Sequence, residues 1–351
     1  MIMIDLRSDT VTLPTDEMRE AMRRAALGDD SRDGDPTVRQ LEELSAKVTG
    51  KEAALFVASG TMANLVALLA HTGRGGEVLL DGRSHIMRSE LGGVSQLAGL
   101  FPVVYPAERG IPDAAAMREL IHHKTTAGRL ATALICVETT HNDAGGTVLP
   151  LAGLSRVRAV ATDHGIPIHI DGARLFNAAV ALGVTAAEVA RNGDSVAFCI
   201  SKGLSAPVGS LLCGSAAFIE RARAYRRMVG GAMRQAGVIA AAGIVALQDM
   251  VERLADDHRR ARALANGLQS INEALVDATQ VQSNIVRVDT TGSGMYAKAL
   301  ANALAEKNIR AGAWTRTSLR LVTHRHIDDA AVAQTIASFR AIYASRSRLF
   351  A

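Results

Sequence analysis

The sequence has 351 residues, of which 48% are hydrophobic and 3% aromatic, and its formal net charge is +4. A chain of this length can bury a large core and form two domains. Scattered basic residues and few aromatic residues argue against a nucleic-acid partner.

The cysteines and the most apolar segment indicate the compartment. Cys136, Cys199 and Cys213 lie in apolar, strand-like stretches, which favours free thiols in a reducing environment. The first residues are charged, unlike a signal peptide, so we expect a cytoplasmic protein. The apolar run 236–247 is shorter than the ~20 residues that span a bilayer, so we expect no membrane association.

The N-terminal region predicts an extended arm, a helix capped by Thr15, and a polar loop at residues 28–34. Asp35 and Pro36 have the order of a cap and first residue of a second helix. The four aspartates near this loop could bind a cation, but they lack the ligand order of a cation loop, so we predict no metal site.

A strand at residues 53–58 turns into a helix at Gly60 and Thr61. Free backbone amides at a helix start bind anions, and the Thr61 hydroxyl adds a donor, so we predict a phosphate site here. The alternative is an ordinary helix cap. A dinucleotide fingerprint is absent because the turn contains one glycine.

Histidines follow the next two predicted strands. His85 follows the strand at residues 77–81, and His141 follows the strand at residues 133–137. An imidazole at His85 could stack on a planar cofactor and act as a base, and His141 is a second candidate. The alternative for both is a structural histidine in a loop.

Two apolar runs in the middle of the chain end in an acid and a base. The run 166–170 precedes Asp171, and the run 196–200 precedes Ser201 and Lys202. This spacing predicts parallel strands joined by a helix, with both side chains at the carboxyl edge where open sheets bind ligands. A lysine and an aspartate there suit pyridoxal phosphate: the amine forms a Schiff base, and the carboxylate keeps the ring nitrogen protonated.

The alternative is a solvated lysine and a capping aspartate. However, no other lysine lies between Lys124 and Lys298 in this arginine-rich chain. A lysine at this position therefore indicates a task that arginine cannot perform, such as forming an imine.

The remaining sequence predicts a strand at 208–214, a basic helix at 218–229 and a long helical region towards residue 268. Strands at 283–289 and 318–322 and helices at 296–307 and 328–343 then indicate a small α+β domain. We predict an N-terminal arm and large domain at 1–250 and a small domain at 251–351. Arg320, opposite in face to its apolar neighbours, suits a substrate carboxylate; a solvated arginine is the alternative.

Several segments in order resemble the low-specificity L-threonine aldolases, pyridoxal phosphate enzymes of fold type I. The resemblance covers nearly the whole chain. It is carried by residues 4–12, 35–37, 60–61, 84–85, 140–142, 169–174, 201–203, 233–235 and 320–324. It implies an α/β fold, aspartate aminotransferase-like, with a mostly parallel sheet in the large domain. It also implies a homotetrameric aldehyde-lyase that cleaves β-hydroxy-L-amino acids such as L-threonine and L-allo-threonine to glycine and an aldehyde.

The resemblance implies the following site. Lys202 would be the Schiff-base lysine, Asp171 the partner of the ring nitrogen, and His85 the stacking residue and proposed base. Gly60, Thr61 and Arg234 would hold the phosphate, with Arg234 supplied by the same or a neighbouring subunit. Ser8, Arg174 and Arg320 would surround the cofactor oxygen and the substrate carboxylate.

Three positions depart from the family pattern. Arg32 replaces a frequent tyrosine, Arg88 replaces an apolar or aromatic residue, and Gly128 replaces a further histidine. Because Arg32 and Arg88 add positive charge near the predicted mouth of the site, we hypothesise a substrate with an acidic β-group, such as 3-hydroxyaspartate. Other open alternatives are a phenylserine aldolase, an amino-acid racemase, an aminotransferase, and a non-catalytic cofactor-binding protein.

Overall fold

The computed structural model describes residues 3–123, 128–291 and 294–347, and the side chains up to residue 344. The chain divides into two compact units. The first contains Met1–Thr12, Gly145–Thr147 and Glu252–Ala351, and the second contains Leu13–Ala144 and Val148–Val251. The domain boundary predicted near residue 250 stays a prediction.

The strands, in chain order, are β1 (Ile4–Asp5), β2 (Ala53–Val57), β3 (Glu77–Leu80), β4 (Phe101–Val104), β5 (Ala107–Glu108), β6 (Ile111–Pro112), β7 (Thr132–Glu138), β8 (Ile168–Asp171), β9 (Ser195–Cys199), β10 (Ser210–Gly214), β11 (Ile285–Asp289), β12 (Ile309–Arg310), β13 (Gly312–Thr315) and β14 (Ser318–Val322).

The helices are α1 (Asp16–Arg24), α2 (Pro36–Thr49), α3 (Gly60–His71), α4 (His85–Arg88), α5 (Gly93–Gln96), α6 (Ala114–Glu119), α7 (Leu151–His164), α8 (Leu175–Leu182), α9 (Ala186–Ala190), α10 (Ala216–Met228), α11 (Gly237–Asp249), α12 (Leu254–Gln269), α13 (Ala297–Ala305) and α14 (Asp329–Ser347).

The second unit is built on a seven-stranded sheet with the order β2-β10-β9-β8-β7-β3-β4. β10 runs antiparallel to both of its neighbours, and the other pairs are parallel. The interior strands are apolar and buried, as expected where helices cover both faces of a parallel sheet. The predicted α/β class with a mostly parallel sheet is confirmed.

The parallel strands bring separate parts of the sequence to one edge. β3, β7, β8 and β9 point the same way, so the residues that follow them leave the sheet at the same carboxyl edge. Because β10 is antiparallel, its first residue lies at this edge as well, where Ser210 pairs with Cys199 of β9 and Val57 of β2.

The first unit contains the antiparallel sheet β11-β14-β13 and the parallel pair β1-β12. Leu264 and Leu268 of α12 and Leu300 and Leu304 of α13 are buried in its core with the apolar residues of β11 and β14. Arg320 lies in the middle of β14, in register with Arg287 of β11 and Gly312 of β13. The α+β character predicted for this region is confirmed.

The helical region predicted towards residue 268 is present, but it consists of two helices with a break that the sequence did not predict. α11 ends at Asp249 and α12 begins at Leu254. α11 packs on α1 and α2 of the second unit, and α12 packs on α14 of the first unit. The two helices bury their apolar faces in different cores, so a single straight helix could not serve both.

No helix in the described part of the chain is long and apolar enough to cross a membrane.

Asp35 is a buried junction in the second unit. Its Oδ1 accepts hydrogen bonds from the backbone N–H groups of Thr37 (2.9 Å) and Val38 (3.0 Å), which caps α2. Its Oδ2 accepts from Gly28 (3.1 Å) and Gly237 (2.9 Å), the first residue of α11. One carboxylate therefore joins the polar loop, α2 and α11.

We expect Asp35→Ala to lower the free energy of unfolding by at least ~3 kcal/mol, because it leaves four N–H donors without their acceptor. Asp113→Ala is the matched control, since Asp113 is an exposed cap that accepts only from Ala115 and Ala116. Its loss should cost about 1 kcal/mol. Urea unfolding of both variants measures the difference, and equal costs would contradict the junction.

Candidate active site

Asp171 ends β8 at the carboxyl edge of the sheet, and its side chain is buried. Its Oδ2 accepts a hydrogen bond from Asn64 Nδ2 (2.9 Å), and its Oδ1 accepts from the Ala173 N–H (3.1 Å). A Cβ at Gly172 would lie 2.8 Å from the Ala197 carbonyl oxygen, so the backbone needs glycine there. These contacts fix the orientation of the carboxylate.

Lys202 follows β9, the strand next to β8. Asp171 is in register with Ala197 of β9, so the chain reaches Lys202 at the same edge as Asp171. The Lys202 carbonyl oxygen accepts from the Ser205 N–H (2.9 Å) in a tight turn, and the side chain is partly buried. The predicted pair of parallel strands, one ending in the acid and one leading to the base, is confirmed.

His85 is the first residue of α4, just beyond β3, and pairs with Glu90. The distance from His85 Nδ1 to Glu90 Oε1 is 2.8 Å, and the same oxygen accepts from Asn64 Nδ2 (2.8 Å). One-third of the His85 side chain is exposed. Within the described residues, His85 Nε2 has no hydrogen-bond partner, so this nitrogen can accept or donate a proton.

The His85–Glu90 pair retains a proton. The hydrogen bond that the His85 ring donates to Glu90 raises the pKa of His85 against the opposing effect of burial, and the charges of Asp171 and Glu138 add to the rise. Burial raises the pKa of Glu90, and the Asp171 charge adds to it. Since both pKa values rise, the pair holds its proton to higher pH than isolated groups would.

Glu138 joins two loops at the edge of the sheet. Its Oε2 accepts from the His85 N–H (2.6 Å), and its Oε1 accepts from the Asn142 N–H (2.8 Å). Burial raises the pKa of Glu138, partly offset by the charge of His141. This carboxyl group thus fixes the backbone of His85 and of the loop after β7.

Arg174 reaches the same loop. It precedes α8, is buried, and donates from Nη1 to Asn142 Oδ1 (3.4 Å). The geometry therefore brings Arg174, Asn142, Glu138 and His85 into one connected set. The predicted roles of His85 and Arg174 stay predictions.

His141 differs from His85 in being almost fully enclosed. Its Nε2 lies 3.2 Å from Asp81 Oδ2, and its Nδ1 accepts from the Ala144 N–H (3.2 Å). Burial lowers the pKa of His141, but Asp81 and Glu138 outweigh it and raise the pKa above the usual value. His141 Nδ1 is therefore bonded to the loop after β7, whereas Nε2 lies near Asp81 without a hydrogen bond in the described residues.

The start of α3 packs against the ends of β9 and β10. Ser59 caps the helix by accepting from the Met62 N–H (3.1 Å), which leaves the Gly60 and Thr61 amides at the helix start. A Cβ at Gly60 would lie 2.9 Å from Cys199 Sγ, so a side chain would not fit. The predicted anion site therefore lies at a helix start, and the backbone at Gly60 packs closely against Cys199.

Arg234 lies in the segment between α10 and α11. Its Nη1 is 3.8 Å from Asp29 Oδ1, and the side chain is largely exposed. Arg32 is 3.7 Å from the same residue, and Arg88 donates to the Gly82 carbonyl oxygen (3.0 Å). The phosphate contact predicted for Arg234 stays a prediction. The acidic substrate predicted from Arg32 and Arg88 stays a prediction as well.

Ser8 and Arg320 belong to the first unit. Ser8 Oγ accepts from the Thr10 N–H (3.2 Å) and caps a short 3₁₀ turn. The Arg320 guanidinium lies 4.3 Å from the Trp314 ring centroid, and its Nη2 donates to the Arg7 carbonyl oxygen (3.2 Å). The stacked geometry holds the guanidinium plane in one orientation.

The model of the Beta-eliminating lyase family matches residues 5–291. Low-specificity L-threonine aldolase 1 of Arabidopsis thaliana is 44% identical over 341 residues, covering 96% of this chain and 95% of that protein. This chain belongs to the low-specificity L-threonine aldolase family.

Solved structures show the fold of this family member. Threonine aldolase from Leishmania major superimposes with a TM-score of 0.81 at 19% identity, covering 97% of this chain and 99% of that one. A structure described as SPT with PLP superimposes with a TM-score of 0.74 at 20% identity, covering 97% and 87%. The predicted fold class is confirmed, and the predicted lyase class and cofactor agree with these findings.

The residues at the carboxyl edge fit pyridoxal phosphate. Asp171 offers a fixed carboxylate for a protonated ring nitrogen, Lys202 an amine for the aldehyde, and the start of α3 amides for the phosphate. The hydroxyls of Ser84, Thr140 and Ser210 are buried at this edge without a hydrogen-bond partner in the described residues. Such hydroxyls need a partner, which a polar ligand at this edge can supply.

One atom each of His85, Glu90 and Asp171 lie within 4.8 Å of one another, a spacing that could suit a metal ion. However, Glu90 Oε1 already accepts from Asn64 and contacts His85 Nδ1, and Asp171 accepts from two N–H groups. We assign these side chains to the hydrogen-bond network.

Sequence reasoning missed Asn64, Glu90 and Glu138 as site residues. Asn64 and Glu90 carry polar groups that are buried and fully engaged, which no local pattern reveals. Glu138 ends β7 directly beside Asp171 of β8, with which it is in register. A buried acid that ends an apolar strand was the available signal, as it was for Asp171.

We expect Glu90→Gln to lower the pKa of His85, because a neutral amide replaces the carboxylate while Asp171 and Glu138 remain. The raised pKa means that His85 contributes stability that is fully present below its unfolded pKa of about 6.5 and is lost as pH rises through the folded pKa. NMR titration of the histidine ring protons measures the shift.

The matched control is Glu77→Gln, whose carboxylate contacts His122 (3.2 Å) at the other end of β3. This variant should leave the His85 titration unchanged. If Glu90→Gln also left it unchanged, the assigned cause of the raised pKa would be wrong.

Proposed function

We propose that this protein cleaves β-hydroxy-L-amino acids, such as L-threonine and L-allo-threonine, to glycine and an aldehyde with pyridoxal phosphate. The observation that supports this most directly is the arrangement of Asp171, Lys202 and His85 on one sheet edge. The named activity of the 44% identical relative supports the same reaction.

We propose that Lys202 binds the cofactor aldehyde as a Schiff base and that Asp171 pairs with the ring nitrogen. Gly60 and Thr61 would bind the phosphate through the start of α3, with Arg234 contributing from this or a neighbouring subunit. When bound, the cofactor supplies an electron sink for the carbanion that forms at Cα.

The chain's own residues must then choose which Cα bond breaks. The proposed carboxylate ligands are Ser8, Arg174 and Arg320, and the planar guanidinium groups suit a carboxylate. A fixed carboxylate orients the amino acid so that the Cα–Cβ bond stands perpendicular to the ring, and orientation decides the reaction.

His85 is the proposed general base. Its Nε2 would take the β-hydroxyl proton while the Cα–Cβ bond breaks and the β-carbon becomes the aldehyde carbonyl. The Cα electron pair would then take up a proton, and return of the proton held by His85 gives glycine, restores the neutral base and balances the reaction. Glu90 on Nδ1 stabilises the imidazolium that forms.

We also propose a cytoplasmic homotetramer, as the family resemblance implies. Sedimentation velocity of the purified protein tests the assembly, and a monomer at all concentrations would contradict it.

The function is tested by measuring glycine release from L-threonine, L-allo-threonine, phenylserine and 3-hydroxyaspartate, with the protein loaded with pyridoxal phosphate. We expect release from at least one substrate and none in Lys202→Ala, which lacks the amine. A visible absorbance that depends on Lys202, together with racemisation or amino transfer and no glycine, would instead select another reaction of this fold.

The same experiment tests the acidic-substrate hypothesis. Arg32 and Arg88 are exposed, so either could contact a second carboxylate. The specificity constant for 3-hydroxyaspartate should then exceed that for L-threonine and fall towards it in Arg88→Ala. A constant no higher than that for L-threonine would remove the hypothesis.

We expect His85→Asn to lower kcat by about 10²- to 10⁴-fold, the usual contribution of a general base, and to remove the acidic limb of the pH profile, where protonation of His85 abolishes its function as a base. His164→Asn is the control. His164 contacts His123 (2.8 Å) and precedes β8, so it lies at the amino edge of the sheet, whereas His85 lies at the carboxyl edge. Full activity with an unchanged pH profile in His85→Asn would contradict the assignment.

A further inference from the structure

A continuous chain of hydrogen bonds runs from Asp171 between α3 and the sheet. Asn64 Nδ2 contacts Asp171 Oδ2 (2.9 Å), and Asn64 Oδ1 contacts His169 Nε2 (3.1 Å). His169 Nδ1 contacts Ser195 Oγ (2.8 Å), and the same oxygen contacts His71 Nε2 (2.7 Å). Asn64, His169 and Ser195 are buried, and His71 is partly buried.

The positions of these residues follow from regular secondary structure. Asn64 and His71 are seven residues apart on α3, so they lie two turns apart on one face. His169 and Asp171 are two residues apart on β8 and share a face of the sheet, and Ser195 of β9 is in register with His169.

The proton positions along the chain are determined by its chemistry. Asn64 Nδ2 contacts two carboxyl oxygens, of Asp171 and Glu90, and so must be the amide nitrogen. Asn64 Oδ1 is then an acceptor, and His169 Nε2 must carry the proton that faces it.

The same logic extends outwards. A neutral His169 with a proton on Nε2 has an accepting Nδ1, so the Ser195 hydroxyl donates to it. Ser195 Oγ can then accept from His71 Nε2–H. Every donor in the chain therefore points towards Asp171.

The surroundings support neutral imidazoles. Burial lowers the pKa of His169 to about 4 and, with His169 nearby, that of His71 to about 3. His71 is also stacked on Phe218, with 4.2 Å between ring centroids. Both rings are neutral at physiological pH, as the one-way arrangement requires.

We propose that His71, Ser195, His169 and Asn64 are positioning residues that hold Asp171 as an oriented anion, so that it keeps the cofactor ring nitrogen protonated. This inference rests on the proposed role of Asp171. Aligned donors polarise one another, so the end of the chain bonds the carboxylate more strongly than an isolated amide would.

A purely structural network makes a different prediction. If the chain only filled the space between α3 and the sheet, its loss would lower stability without changing the protonation of the ring. The discriminating measurement is therefore the ¹⁵N chemical shift of the ring nitrogen, with ¹⁵N-labelled pyridoxal phosphate bound to the holoenzyme.

The variants are chosen to interrupt the chain at different points. Ser195→Ala removes one oxygen, and His169→Phe removes both ring nitrogens while keeping a similar shape. Ser45→Ala is the matched control, because Ser45 is equally buried and its hydroxyl donates only to the Leu41 carbonyl oxygen (2.7 Å). At the outer end, His71→Gln retains an N–H donor and His71→Leu does not.

We expect the ¹⁵N signal in Ser195→Ala and His169→Phe to move from the protonated towards the neutral position. In His169→Phe, kcat should fall about 10-fold or more with a smaller change in KM, as is typical for loss of a supporting hydrogen bond. Ser45→Ala should match the wild type, and His71→Gln should lie closer to the wild type than His71→Leu does.

The outcomes separate this inference from the proposed function. Asp171→Ala should give a neutral ring nitrogen; if it does not, the proposed role of Asp171 fails. If Asp171→Ala shifts the signal but Ser195→Ala and His169→Phe behave like Ser45→Ala, the positioning chain is overturned while the function stands. If His169→Phe does not fold, Ser195→Ala and the two His71 variants decide the question alone.

Discussion

The contact on which the site depends is the hydrogen bonding of the Asn64 amide to two carboxyl groups, those of Asp171 and Glu90. Buried carboxyl groups without donors would be costly, and the Asn64 amide nitrogen bonds both of them, in addition to the Ala173 N–H at Asp171 and the His85 ring at Glu90. That requirement fixes the amide orientation. The amide orientation in turn determines the proton position on His169. It also lets Glu90 Oε1 accept from Asn64 while the same oxygen contacts His85. The Asn64 side chain of α3 therefore contacts both Asp171, the proposed partner of the ring nitrogen, and Glu90, the partner of His85.

The parallel sheet explains how distant parts of the sequence meet. Four strands end at one edge, and the segments after them carry His85, Glu138, Asp171 and Lys202. Glu138 then converts proximity into fixed geometry, because it accepts from backbone N–H groups of two different loops. Backbone groups held by a buried carboxyl group cannot move independently, so His85 and the loop that contacts Arg174 are positioned together.

Sequence reasoning located the strands correctly where an apolar run ended in a charged residue. Asp171 and Lys202 were predicted as site residues because each follows such a run at the carboxyl edge of the sheet. Asn64 gave no such signal, because its partners Glu90 and Asp171 are 26 and 107 residues away in sequence. The separate helices α11 and α12 were missed for a related reason, since periodicity reports an apolar face but not which core will cover it. Local sequence patterns reveal the apolar face of a helix or strand and where that element ends, whereas the residues that contact it depend on the fold.

Burial and charge both act on the carboxyl groups at this edge. Burial raises the pKa of Glu90 and of Glu138, and the negative charge of Asp171 adds to both rises. The histidines His71 and His169, though nearer the core, are kept neutral by burial and cannot offset this charge. In the proposed complex, a protonated ring nitrogen would add a positive charge next to Asp171, beside the proton held by the His85–Glu90 pair. Any group that binds only the folded state adds its binding free energy to the stability of that state, so the proposed cofactor would stabilise the fold.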